Sequence, residues 1–568
     1  MKEKRIIYLI MGVSSILILL IGITTAWFTW QSETNTNVTF EVSGLNITST
    51  NTNITGTLYP TMDKNNGVVE EFTIKQNNDI STPVCANITL TLTTLPTELN
   101  HESFRYKIYN GTSLVGSGNF ANTLEGETIT IATSQPITTT LSTYKLYIWI
   151  DGENYDNPLS MGGKTFLFKL GITANQQQNA CNPSIVEELN APELVSGMIP
   201  IKYDGTKWVK ASTTTANDWY DYTNKMWANA VMVTSGTRDT YMNASTGTTI
   251  SEEDILAYYV WIPRYKYQLF NVDSTTIDPI EIQVEFEEGT PTKSSGTANG
   301  EWLTHPAFTL GTDELEGIWV GKFSTTGDAT TPTIRPNLAA LTEQNVSTQF
   351  TTSQKFGTTT YLTSTGASQV DAHMMKNIEW GAVTYLKQSK YGLGTTDIGI
   401  NNNSNYKTGC GSTAGSAYST TCNAYNTTDG MLASTTGNIT GVYDMSAAMG
   451  TYVMGVMKTS NGTALTYSSS GFTTSTLPFN SKYVDQYEYG TTYSDQTAYN
   501  RRILGDATGE VHGWYDDTEF FVYSDYPWFI RGLSSSDSPT GAGVFTFYLL
   551  DGRPSPNLAF RSVLALGA

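Results

Sequence analysis

Cysteine, histidine and charge are all scarce in this chain. Four cysteines and four histidines in 568 residues leave little material for a metal centre or for histidine acid–base chemistry, and no cysteine has the C-x-x-C or Cys/His spacing of a zinc site. Charged residues make up only 15%, and Asp+Glu outnumber Lys+Arg by 52 to 32, for a formal net charge of −20. Such a chain repels phosphate backbones, which argues against nucleic acid as a partner. Long apolar runs are absent beyond the first thirty residues. What remains is polarity from Thr, Ser, Asn and Gly, with 39% hydrophobic and 12% aromatic residues. That is the mix of β-rich proteins outside the cell, in a chain long enough for two or three cores.

Lys2, Lys4 and Arg5 precede an uncharged run from Ile6 to Ala26, matching the about 20 residues a membrane-spanning helix needs. Thr24-Thr25-Ala26 is also a small-residue ending of the kind a signal peptidase accepts. Residues 1–30 are therefore either a transmembrane anchor or a signal peptide. Both place the rest of the chain outside the membrane, held to it through the N-terminal helix or secreted; with the resemblances below, the expected location is a bacterial cell surface. Cysteine usage fits export: Cys85 with Cys181 and Cys410 with Cys422 is the economical pairing, although four cysteines allow three connectivities.

Between residues 37 and 173 short runs alternate apolar and polar residues. Val38-Thr-Phe-Glu-Val42, Phe72-Thr-Ile74, Ile88-Thr-Leu-Thr-Leu92, Tyr106-Lys-Ile-Tyr109, Tyr147-Ile-Trp-Ile150 and Phe166-Leu-Phe-Lys-Leu170 read as strands with one wet face. Turn clusters such as Asn65-Asn66-Gly67 separate them, so residues 31–190 predict an antiparallel β-sandwich stalk. The segment Ala26-Trp-Phe-Thr-Trp30 resembles the start of camelysin and TasA-like surface and matrix proteins, which implies fibre formation as an alternative to a stalk.

Beyond the polar stretch at residues 176–183 the texture changes, and residues 191–568 form a large mixed domain. Aromatics become dense in Trp219-Tyr220-Asp221-Tyr222, Tyr258-Tyr-Val-Trp-Ile-Pro263 and Gly317-Ile-Trp-Val-Gly-Lys-Phe323. One helix is predicted, from Ala372 to Leu386, with Met375, Ile378, Val383 and Leu386 on one side. Residues 393–440 are dominated by Gly, Ser, Thr and Asn, which predicts a long loop laid on a scaffold.

Gly441-Val-Tyr-Asp-Met-Ser446 resembles the G-L-Y-D-M-S-G-N-V-W-E-W signature of the formylglycine-generating-enzyme (sulfatase-modifying factor) branch of the C-type lectin fold. Glu379-Trp380, Gly317 to Phe323, Trp528-Phe-Ile-Arg-Gly532 and Ala559-Phe-Arg-Ser-Val-Leu564 match further motifs of that branch in order, over roughly residues 250–568. The resemblance implies an α+β C-type-lectin-like fold for this domain, preceded by the all-β sandwich. The chain departs from the family at Ala447-Ala-Met-Gly-Thr-Tyr452, which lacks the usual Trp and Glu, and at Ala559, where the family has Gly.

Enzymes of that branch work through a cysteine in the C-terminal part of the fold, and no cysteine follows Cys422. Related iron enzymes use a histidine cluster, whereas His101, His305, His373 and His512 are scattered singly. No catalysis is therefore expected, and a degenerate enzyme is the alternative. Asp516-Asp517 and Glu252-Glu253-Asp254 read as solvated acidic turns; calcium is the one cofactor left open.

The tail resembles the variable proteins of diversity-generating retroelements, whose C-terminal segment on this fold is rewritten at adenine-bearing codons. Randomising the first two bases of an AAC-type codon never yields Met, Trp, Gln, Lys or Glu, and residues 529–568 contain none of these. The resemblance implies a variable face over residues 531–561 that binds a protein or glycan ligand. Its candidate contacts are Leu533, Ser534, Ser535, Ser536, Asp537, Ser538, Thr540, Thr546, Tyr548, Leu549, Leu550, Asp551, Arg553, Ser555, Asn557 and Leu558. Period-two alternation turns Phe545 and Phe547 inward and Thr546 outward.

Overall fold

The computed structural model describes residues 28–31, 38–42, 45–49, 53–61, 63–76, 84–101, 103–111, 113–121, 123–152, 159–176, 181, 191–213, 217–287, 293–363, 370–462, 468–473, 476, 482–533 and 541–566. The chain divides into two compact units, Met1–Glu188 and Leu189–Ala568. The expected membrane or signal segment lies outside the described residues. Among those described, no helix is long and apolar enough to cross a membrane.

The first unit is built from two sheets. One orders Phe28–Gln31, Lys164–Gln176, Val84–Thr94 and Thr128–Ile137, with Asn53–Leu58 also on Lys164–Gln176. The other orders Val38–Val42, Leu45–Ser49, Val68–Gln76, Ser142–Asp151, Phe104–Asn110 and Ser113–Asn119, with Pro60–Thr61 beside Ser142–Asp151. Alternation in the sequence becomes alternation in burial: Phe72, Ile74, Ile88, Leu90, Leu92, Ile108, Leu146, Ile148, Phe166 and Phe168 share one core. Cys85 and Cys181 are joined, closing a 96-residue span.

The second unit is also β-rich, with few helices. Its main sheet is antiparallel throughout, in the order Trp208–Lys210, Ile199–Tyr203, Asn229–Val233, Ile255–Pro263, Gly317–Gly321, Ser562–Leu566 and Val370–Met374. Two of the three dense aromatic motifs pair here, with Trp261 directly across from Trp319 and their rings 5.2 Å apart. Ser562–Leu566, near the end of the chain, thus enters the sheet between Gly317–Gly321 and the edge strand Val370–Met374. A smaller sheet orders Asp485–Tyr487, Gly450–Met457, Trp528–Arg531 and Phe547–Leu550, with Leu558–Ala559 also on Gly450–Met457.

The helix predicted from Ala372 begins later. Val370–Met374 is a strand on Ser562–Leu566, and the helix runs Asn377–Lys387. Glu379 sets the start, because its carboxylate accepts from the Lys376 backbone N–H at 2.7 Å and satisfies an end-of-helix donor. Every residue of this helix is buried. Gly381 allows the close packing: a Cβ there would fall 1.8 Å from the Gly505 carbonyl oxygen.

Residues 393–440 carry no strand and only a short 3-10 turn, Gly430–Ala433. Cys410 and Cys422 are joined within this loop. Asp444, from the Gly441-Val-Tyr-Asp-Met-Ser446 motif, ties the loop down. Its Oδ1 accepts from Asn401 Nδ2 and Gly409 N, both at 2.8 Å, while Oδ2 accepts from Ser324 N at 3.2 Å. Burial pushes this carboxyl up, and Arg561 opposes the shift.

Candidate ligand-binding face

The motif residues meet beneath the C-terminal segment. Trp380 of the central helix donates its indole N–H to the Val544 carbonyl at 2.9 Å. Ala447 N donates to the Ala542 carbonyl at 2.7 Å, and Ser446 Oγ donates to the same oxygen at 3.2 Å. Arg531 is fully buried and donates to Asn377 Oδ1 and to the Asp506 and Ala507 carbonyls. Arg561 donates to the Gly321 carbonyl and, at 2.6 Å, to that of Tyr443. Burial lowers both guanidinium groups to about 10. Trp380 and the Ser446-Ala447 turn therefore hold the backbone at Ala542 and Val544, Arg531 pairs as a strand residue with Phe547, and Arg561 braces Gly321 and Tyr443.

On that base the chain alternates. In Phe547–Leu550, Phe547 and Leu549 are buried, while Tyr548 and Leu550 are half-buried on the opposite side. Arg553 and Asn557 are exposed and Ser555 is half-buried. Leu533 is half-buried, against Ile400, Ala447 and Ala542. Ser534, Ser535, Ser536, Asp537, Ser538 and Thr540 lie outside the described residues.

Four of the expected contacts are corrected. Thr546 points inward and is fully buried, its hydroxyl donating to the Gly541 carbonyl at 2.8 Å. The period-two argument fails there because residues 541–546 form a turn, with Thr546 N bonded to Gly543 O, and the strand starts only at Phe547. Leu549 packs into the main core and Leu558 into a second core formed around Tyr452, Trp528 and Phe560. Asp551 is buried below Arg553 and accepts its Nε at 2.7 Å and Nη2 at 2.6 Å. That pairing holds the Asp551 carboxyl below its ordinary range.

The fixed part of this turn is set by Asp517, whose Oδ2 accepts from Phe545 N at 2.9 Å. Residue 543 must be glycine, since a Cβ there would lie 1.9 Å from the Asp517 carboxylate. Asp517, read in the sequence as part of a solvated turn, is thus a structural acceptor, whereas Asp516 is exposed. Glu252 and Glu253 are exposed as expected of a solvated turn, and Asp254 accepts from the Tyr241 hydroxyl at 2.6 Å. No group of His, Cys, Asp and Glu among the described residues is arranged to hold a metal ion.

Aromatic residues that the sequence reading left aside border the face. Tyr548 meets Phe520 edge to face at 5.3 Å, Phe520 meets Tyr493 at 5.5 Å, Tyr493 meets Tyr523 at 5.2 Å, and Tyr523 meets Tyr526 at 5.7 Å. The backbone explains the row. Phe520 N donates to the Phe547 carbonyl and Phe521 N to that of Tyr493, so three extended segments lie side by side. The aromatic density of Phe520-Phe-Val-Tyr-Ser-Asp-Tyr-Pro-Trp528 was the available signal.

The histidines have structural settings. His305 is buried beside Tyr265, Phe308 and Tyr385, and burial lowers it to about 3. His373 is buried between Asp371 at 2.9 Å and Glu379 at 2.8 Å. Burial alone pushes its imidazole down, but the two carboxylates outweigh that and hold it at about 9. His512 pairs with Glu519. His101 Nδ1 meets the Ser103 hydroxyl at 2.8 Å.

No family model and no curated protein matches this chain. Among solved structures it is similar to a mutant of a family 29 carbohydrate-binding module, studied for its mechanism of ligand recognition. The two are 8% identical with a TM-score of 0.11, over 27% of this chain and 83% of that one. A likeness that slight bears on neither the fold nor the site.

Proposed function

We propose that this is a bacterial cell-surface protein whose second unit, on a C-type-lectin-like fold of the formylglycine-generating-enzyme branch, displays a variable ligand-binding face. It is a target of a diversity-generating retroelement, and the face binds a protein or glycan rather than performing catalysis. The first unit serves as the stalk. The two disulfides support an extracellular setting.

One observation carries the reading: within a single short segment, buried side chains alternate with side chains that reach the surface. Phe547, Leu549, Asp551 and Leu558 are buried, whereas Tyr548, Leu550, Arg553, Ser555 and Asn557 reach the surface from the same backbone. Ser555 and Asn557 can change identity with little effect on folding, whereas changes at Tyr548, Leu550 and Arg553 also touch the Tyr452–Trp528–Phe560 core or the buried Asp551, so binding varies with only a partial effect on stability. The motifs under the segment support the fold class, since Asp444, Arg531 and Arg561 are all buried in roles a scaffold needs.

The test is the neighbouring DNA. An adenine-rich near copy of the codons for residues 531–561 beside a reverse-transcriptase gene is expected. In sister sequences from the same locus the differences should fall on Tyr548, Leu550, Arg553, Ser555 and Asn557 and spare Phe547 and Leu549. Differences spread evenly over buried and exposed positions, or no such copy, overturn the variable-face reading.

A further inference from the structure

Beside the proposed variable strand lies a surface that belongs to other segments. Tyr493 is 43% exposed, one of the few large apolar side chains of the second unit so open to water. Tyr523 and Tyr526 are half-buried on the turn between Phe521 and Trp528. The row Tyr548, Phe520, Tyr493, Tyr523, Tyr526 is continuous in ring contact, as given above. Its rings are fixed by neighbouring backbone bonds, because Ser524 N donates to the Gly490 carbonyl at 3.0 Å and Phe521 N to that of Tyr493 at 2.6 Å. Rigid, amphipathic rings of this kind give up little entropy on binding.

Charge tells what would cover the row. The exposed carboxylates along it are Glu488, Asp495 and Asp525. Glu488 is paired with Lys458, whereas Asp495 and Asp525 make no ion pair among the described residues. Asp495 instead caps the helix Gln496–Tyr499 by accepting from Ala498 N at 2.9 Å. The nearby cations are spoken for: Arg553 is held by Asp551, and Arg501 lies half-buried over the Phe521 ring at 4.9 Å. No lysine or arginine among the described residues covers the rings of Tyr493, Tyr523, Tyr526 or Tyr548. Tyrosine rings that reach the surface beside the exposed carboxylates of Asp525 and of Asp495, the latter already near Arg501, are suited to guanidinium or ammonium groups.

Ring orientation separates the two classes of occupant. Successive rings are inclined at 71°, 57°, 38° and 64°. A row so faceted offers no flat platform for successive sugar rings. It offers notches between rings, into which separate side chains of a peptide can enter.

We infer that this tyrosine row is a fixed docking ledge for a basic segment of a partner protein, adjoining the variable residues. The inference rests on the ligand-binding reading of the same face. The ledge supplies constant affinity for cationic side chains, and the variable strand supplies selectivity among partners that carry them.

The test uses the whole chain, immobilised, with a random heptapeptide display library as one probe and a glycan microarray as the other. The expected result is enrichment of peptides carrying Arg or Lys. Those peptides should lose about tenfold or more in affinity for the Y493A/Y523A double variant and weaken with added salt, while circular dichroism shows the variant still folded. The Y493F/Y523F variant keeps the rings and should retain most of the binding. Enriched peptides without basic residues, no enrichment, or binding on the glycan array alone overturn the inference. If recovered peptides bind Y493A/Y523A like the parent but lose affinity for Arg553→Ala or Asn557→Ala, the ledge fails and the variable face stands. If neither set of variants alters binding, both fail.

Discussion

Arg553 and Asp551, two residues apart, form a two-point ion pair in which the carboxylate is buried and the guanidinium stays at the surface. The surface here thus presents a cation already fixed in direction, since the planar fork of the guanidinium matches the carboxylate edge. Asp551→Asn removes one charge and one of the two contacts. Hydrogen exchange at Arg553 Nε should become faster, and peptide binding that depends on Arg553 should weaken. An unchanged exchange rate would show that the pair does not restrain the side chain.

Thr546 and Asn557 were equivalent as candidate contacts and are now distinguished by burial. Thr546→Val removes one of two donors to the Gly541 carbonyl, which keeps the Thr518 N–H at 3.0 Å, at a cost of about 0.5–1.5 kcal/mol. Asn557→Ala, on the surface, should stay within about 0.5 kcal/mol of the parent. Urea unfolding of both variants measures the difference. Equal stabilities would return Thr546 to the surface.

His373 makes stability depend on alkaline pH. Its folded value, about 9, lies above the ordinary histidine range, so the charged imidazole is favoured in the folded state. The resulting stabilisation is fully present below the unfolded value of about 6.5 and is lost as pH rises through about 9. Thermal melts between pH 7 and 10 should show this decline in the parent and not in His373→Gln. That variant removes the buried cation between Asp371 and Glu379, leaving Asp371 with Lys482 at 3.0 Å, and should itself lower stability at neutral pH.

Glu510 acts near neutrality and in its own way. Burial raises its carboxyl to about 7, against the Gly505 N–H that favours the charged form. Both Tyr267 and Tyr385 donate hydroxyls to it at 3.1 Å. A raised carboxyl stabilises the fold below its unfolded value of about 4.5, and that contribution disappears as pH climbs through about 7. Glu510→Gln should therefore melt higher than the parent at pH 8 and show little gain at pH 5. A variant less stable at both pH values would mean that the ionised carboxylate is needed where it lies.

The two disulfides should differ in weight. Chain entropy assigns about 4–5 kcal/mol to a closed span of 96 residues and about 3 kcal/mol to one of 12. Calorimetry of C85S/C181S and C410S/C422S variants, followed unit by unit, should show the larger loss in the first unit.

Much of the fold could be read directly from the sequence where a local rule suffices. Period-two runs marked the strands around Phe72, Ile88, Tyr106, Ile148 and Phe166, since a half-wet sheet imprints its alternation on the chain. The dense aromatics at Trp261 and Trp319 announced a core, although not that they would stand opposite each other. The helix start was misjudged because residues 370–374 carry apolar spacing that suits a helix or a strand, and only pairing with Ser562–Leu566 decides between them. Thr546 was misplaced for the complementary reason: alternation was assumed across a turn that Asp517 and Gly541 create.

What the sequence determined by itself is what short-range chemistry controls: β-rich units, a Gly/Ser/Thr/Asn loop that needs a scaffold, four cysteines for two links, and too little histidine to build a cluster. What only the tertiary structure decided is which residues share a place. Asp444 reaches Asn401 and Gly409, Trp380 reaches Val544, and Tyr493 joins Tyr548 through Phe520. Such contacts depend on how sheets and loops close over long separations, and neither periodicity nor composition encodes closure. The face was therefore visible in the sequence only as a segment, and its floor and its tyrosine border emerged from the fold.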